Sequence, residues 1–97
     1  MFTGKMALDL LLGDVRSLKE KRSVVRPVVA ALARLGVSAA EAGHLDLHRR
    51  ALIGVAVVAA DAAHVRAVLS TCEHLVAERP EVEVLSAHTE LYKEGDD

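Results

Sequence analysis

The chain reads as an α+β sandwich in which two helices cover one face of a four-stranded antiparallel sheet. Three observations predict it. Segments with apolar residues at alternate positions enclose two segments with apolar residues at helical spacing, in the order β-α-β-β-α-β. Each helical segment opens on a capping residue and closes near a Gly or Pro. The strand-like segments are apolar enough on one side to seat a helix layer.

Met1 to Leu12 alternates, with Met6, Leu8, Leu10 and Leu12 on one side and Lys5, Ala7, Asp9 and Leu11 on the other. Gly13-Asp14 breaks it. Ser17 caps the first helix, and Glu20 completes a capping box three residues on. Leu18, Val25, Val29 and Leu32 form its apolar stripe, flanked by Val28 and Leu35. Pro27 falls on the solvent side, which predicts an outward bend and not a stop. Gly36 ends the helix. Val37 to Gly43 is a short strand of small residues, and His44 to Leu47 is a turn. His48 to Ala60 is a longer strand, apolar on both faces from Ala51 onward. Asp61 caps the second helix, in which Val65, Val68, Leu69, Cys72, Leu75 and Val76 line one face. Arg79-Pro80 stops it. Val82 to Leu91 is the last strand. From Tyr92 on, the chain is acidic and expected to fray, so the domain is residues 1–92 and the tail 93–97.

This order is the ferredoxin-like one, with a sheet order of 4-1-3-2. Ile53, Val55 and Val57 should face the helices, and Leu52, Gly54, Ala56 and Val58 the open side. Strands apolar on both sides are normally covered on both sides. A second copy of the chain is the simplest cover, with those four residues at the oligomer interface.

Bulk composition narrows the classes. The chain has 97 residues, 52% hydrophobic, which suits one domain with an Ala, Val and Leu core. The net charge of −2 exerts no global pull toward nucleic acid or anionic membrane. The charge is uneven, however. Asp14 to Arg26 holds Arg16, Lys19, Lys21, Arg22 and Arg26 against two acids, whereas Glu81 to Asp97 is acidic but for Lys93. Cys72 is the sole cysteine, so no intrachain disulfide forms. The longest apolar run, Ala51 to Ala60, is too short for a membrane span, and no signal-peptide pattern opens the chain. A cytoplasmic location is expected.

Leu8-Asp9-Leu10 followed by Ser17-Leu18-Lys19-Glu20-Lys21-Arg22-Ser23-Val24 resembles the signature of the YlxP-like family of small bacterial proteins. Ala40-Glu41, Asp46-Leu47, Arg50-Ala51, Gly54 to Val58 and Asp61 to Val65 resemble its later segments. The resemblance covers nearly the whole chain. It implies a ferredoxin-like fold and a cytoplasmic bacterial protein. The family's genes often lie beside those of translation initiation and ribosome maturation factors, which implies a role near RNA or the ribosome. Relatives tend to carry Trp-Gln where this chain has His48-Arg49.

The cations that open the first helix need a reason, because the helix dipole disfavours each by about 0.3–1 kcal/mol. A bound phosphate would relieve them, which makes Lys19, Lys21 and Arg22 candidate RNA contacts with Arg49 and Arg50 as helpers. The competing reading has Lys21 and Arg22 laying their stems along the apolar stripe with their heads in water. His44, Asp46 and His48 have metal-ligand spacing in a strand but not in a turn, and no fourth ligand is evident, so no metal is assigned. Cys72 reads as inert core. His64 has no nucleophile or orienting acid to pair with. Asp9 and Glu41 are expected to share the open sheet with Lys5, more readily as an ion pair than as acid–base machinery. No phosphate loop and no base-stacking strand aromatics are present. These features predict a non-catalytic protein that self-associates; with the role that the resemblance implies, they predict an accessory factor of translation or ribosome biology that contacts ribosomal RNA or protein. No cofactor and no membrane partner is expected. The runner-up is a homo-oligomeric regulatory module that binds a small ligand between its sheets.

Overall fold

The computed structural model describes residues 1–95. Its elements are β1 (Phe2–Leu12), α1 (Leu18–Ala33), β2 (Ser38–Gly43), β3 (Arg50–Ala59), α2 (Ala62–Ala77) and β4 (Val82–Lys93). The strands form one antiparallel sheet in the order β2-β3-β1-β4. Both helices pack on one side of it, giving the expected ferredoxin-like sandwich.

The core lies where period-2 and period-3.6 patterns meet. Met6, Leu8, Leu10 and Leu12 of β1 and Ile53 and Val55 of β3 are buried under the helices. Val25, Val28 and Leu32 come down from α1, and Val65, Leu69, Cys72 and Val76 from α2. Residues Ile53, Val55 and Val57 face inward and Gly54, Ala56 and Val58 outward, as the alternation requires. Gly4 lets α2 sit close to the sheet: a Cβ there would stand 2.3 Å from Val65 Cγ1 and 2.9 Å from Leu69 Cδ1.

Both N-caps are as expected. Ser17 Oγ accepts from the Glu20 N–H at 3.1 Å, and Asp61 Oδ1 from the His64 N–H at 2.7 Å. The capping box is altered, however. Glu20 Oε2 accepts from the Arg16 N–H at 3.0 Å and not from that of Ser17. Helix α1 runs unbroken through Pro27, which faces solvent.

Other boundaries differ from the sequence reading for physical reasons. Leu18, at the start of α1, and Leu35, past its end, are exposed, and the buried stripe is Lys21, Val25, Val28 and Leu32. Strand β3 starts at Arg50 and not at His48. The turn before it is closed by the Leu47 N–H to the His44 carbonyl at 3.0 Å, with His44 at φ 57°. Strand β4 continues two residues past Leu91, because the start of the chain supplies a partner: the Met1 and Glu94 backbones bond in both directions, at 2.9 and 2.8 Å. Fraying from Tyr92 is therefore not observed as far as Glu94. The tail's last two residues, Asp96 and Asp97, lie outside the described residues. No helix among the described residues is long and apolar enough to cross a membrane.

Candidate functional site

Two surfaces hold the sequence-derived candidates. The first is the outer flank of α1, and it is smaller than the sequence reading had it. Lys21 is only 2% exposed. Its Nζ donates to the His44 carbonyl at 2.7 Å and lies 2.7 Å from Glu41 Oε2, a contact more ionic than directed. Neither expectation for this residue, a phosphate contact or an ammonium in water, matches that position. Glu41 likewise lies on the helix side of β2 and not on the open sheet with Lys5. The reason is register: Glu41 opposes Ile53, whose side chain faces the helices.

Arg49 and Arg50 are also occupied. Arg49 Nε donates to the Gly13 and Leu12 carbonyls at 3.0 and 3.3 Å, tying the loop before β3 to the end of β1. Arg50 grips both Asp9 carboxylate oxygens at 2.7 Å. What remains are Lys19 and Arg22, joined by Arg26. All three are exposed, and none has an ion-pair partner among the described residues. Their i, i+3, i+7 spacing sets them on one flank of α1, turned away from the core stripe. Beside Arg22 and Arg26 runs a groove of about 400 Å³, floored by Val25, Val29, Ala30 and Ala33 and reaching Glu41 of β2.

The second surface is the open face of the sheet. Its middle row is Ala40, Gly54, Ala7 and His88, one residue from each strand. A shallow groove of about 330 Å³ runs over it. Two charged clusters flank the row. On one side Asp9 is held by Arg50, with His44 Nε2 at 3.3 Å; these contacts, Arg50 foremost, keep its carboxyl below the usual range. On the other, Glu90 accepts from the Tyr92 hydroxyl, contacts His88 Nε2 at 3.2 Å and pairs with Lys5 at 3.3 Å. The Tyr92 bond first, then His88 and Lys5, push the Glu90 carboxyl down to about 2. Val58 stands out from this face at 59% exposure, with Ala56 exposed beside it and Leu52 half-buried.

A family model described as "Protein of unknown function (DUF503)" matches residues 3–89. This chain belongs to the DUF503 family. No curated protein matches it.

The remaining candidates of this DUF503 protein are dispersed. Among the described residues no three His, Cys, Asp or Glu side chains gather as metal ligands, so His44, Asp46 and His48 are not brought together. Asp46 and His48 are exposed in the turn, while His44 turns to Asp9. Cys72 is buried, and burial pushes its thiol up. His64 is exposed, and its ring contacts no acid among the described residues. The sequence reading did not nominate Arg26, although its place seven residues after Lys19 was the signal. The Lys5–Glu90–Tyr92 cluster could not be found that way, since only the β1–β4 register pairs Lys5 with Glu90.

Proposed function

We propose that this DUF503 protein is a non-catalytic, cytoplasmic accessory factor that holds ribosomal RNA by its phosphates through the outer flank of α1. The observation that carries this is the set Lys19, Arg22 and Arg26, three exposed cations on one flank that no carboxylate among the described residues pairs with. Each is free to neutralise a phosphate and release its counterions. The groove beside Arg22 and Arg26 offers apolar contact to a neighbouring ribosomal protein. The resemblance to the YlxP-like family, with its gene neighbours in translation, points the same way. Contrary to the sequence reading, the open face does carry one exposed aromatic, Tyr92 of β4, but its hydroxyl is tied to Glu90 and no row of rings lies beside it among the described residues, so recognition runs through phosphate and shape. With a net charge of −2, binding is local and weak without protein contacts.

A Lys19→Ala, Arg22→Ala, Arg26→Ala triple variant tests it. The substitutions are exposed, so circular dichroism should be unchanged. Co-sedimentation with ribosomal subunits should be lost, and the salt slope of RNA retention should flatten by about one unit per phosphate contact removed. Unchanged binding with an unchanged slope refutes the reading. A second reading, a small ligand enclosed between the sheets of an oligomer, is favoured by the groove over Ala7 and Gly54. A ligand that raises the melting temperature of the triple variant as much as that of the wild type would support it.

A further inference from the structure

We infer that a second copy of the chain covers the open sheet face, with the two β1 strands antiparallel about a two-fold axis along the Ala40–Gly54–Ala7–His88 row. This goes beyond the RNA reading and uses none of Lys19, Arg22 or Arg26, so the two fail separately.

The middle row is made of small residues on three strands, which lets two backbones approach closely. Lys5 and Asp9 lie two residues to either side of Ala7 on β1, on this face. A two-fold axis along the row exchanges the two sides. Lys5 of each copy then stands over the partner's Asp9, opposite charges twice over. Leu52 stands over the partner's Ala56, and Glu90 over the partner's Ser86. Each end of the interface becomes a run of alternating sign, Arg50–Asp9–Lys5–Glu90, two members from each copy. The charges that this contact desolvates are thus met by opposite ones.

The other two-fold arrangement, with its axis parallel to the strands, lays β1 over β3. Lys5 would meet the partner's Ala56 and Asp9 the partner's Leu52, removing charge from water against apolar groups. The charge pattern therefore selects the antiparallel β1 pairing. A strand rise of about 3.4 Å and a spacing of about 4.8 Å give a face of about 600 Å² per copy. That is about 1,200 Å² in total, the lower end of specific interfaces. The dimer should accordingly dissociate on dilution.

Sedimentation equilibrium on the full chain at tens of micromolar tests this. The wild type should be a dimer. Ala56→Glu, on an exposed position, should be a folded monomer by circular dichroism. Lys5→Asp and Asp9→Lys should each weaken self-association at least tenfold. Mixed one to one, the two variants should restore a dimer containing one copy of each, because every facing pair is again of opposite sign. A monomeric wild type, or an Ala56→Glu dimer, overturns the interface. A mixture that stays monomeric while the wild type dimerises overturns the antiparallel register. If Asp9→Lys does not fold, Lys5→Glu with Asp9→Asn makes the same comparison at reduced contrast, and failure of that mixture to associate more tightly than Lys5→Glu alone likewise overturns the register.

Discussion

Lys21 is the clearest case of a residue whose chemistry is decided by a single partner. Its ammonium is buried, and Glu41 from β2 supplies the counter-charge at 2.7 Å. Lys21→Ala leaves Glu41 partly buried and unpaired, so it should cost about 3 kcal/mol, the low end for breaking a buried pair. Replacing both, Lys21→Met with Glu41→Gln, should recover most of that loss in a urea denaturation series. Asp9 makes a pH prediction. Arg50 holds its carboxyl below its ordinary value of 3.8, so the native state favours the ionised form. A depressed native pKa contributes stability that is present above about pH 4 and is lost as pH falls through the native value. Asp9→Asn should therefore flatten the fall of the thermal midpoint below about pH 4. It should not abolish that fall, because Glu90, pushed down to about 2, titrates there as well. Measuring both in the Ala56→Glu background keeps self-association out of the comparison.

At the scale of elements, caps and close approaches set the limits. Ser17→Ala removes the acceptor of the Glu20 N–H and should lower stability by about 0.5–2 kcal/mol. Glu20→Ala should cost less, since its carboxylate reaches only the Arg16 N–H ahead of the helix. Gly4→Ala should cost about 1–3 kcal/mol by chemical denaturation, because its methyl collides with Val65 and Leu69 and pushes α2 off the sheet. The short edge strand β2 is guarded by its own features. The register breaks between Glu41 and Gly43, and Glu41 turns a charge inward. Both discourage another chain from adding to that edge.

For the whole molecule, the sandwich separates two surfaces. The α1 flank faces outward on the helix layer, and the small-residue sheet face lies on the other side. A dimer about the Ala7 row leaves both α1 flanks uncovered and on the same lateral edge, since the axis runs across the strands. On the proposed RNA reading and the proposed dimer together, RNA retention should fall in Ala56→Glu although the α1 cations are untouched, because a monomer would hold RNA through one flank and not two. Retention titrations of the wild type and of Ala56→Glu at matched salt would read that difference. The triple α1 variant should still dimerise.

The element order, both caps, the inward and outward faces of β3 and the sheet order are legible in the residues alone. They follow from periodicity, which is local, and from the few ways a β-α-β-β-α-β chain can be connected. The candidate site was legible only in part. Lys19 and Arg22 stay on the surface because nothing in the sheet comes to meet them. Lys21 sits four residues before Val25 and seven before Val28, on the core stripe, yet its burial depends on a carboxylate twenty residues later in the chain. Arg50 and Asp9, and Lys5 and Glu90, are joined by strand register across the sheet. Local patterns determined which residues turn inward, because side-chain direction repeats with the backbone. Only the tertiary structure decided which charges pair with each other and which stay exposed on the surface, because ion pairing depends on distances that the chain closes only when it folds.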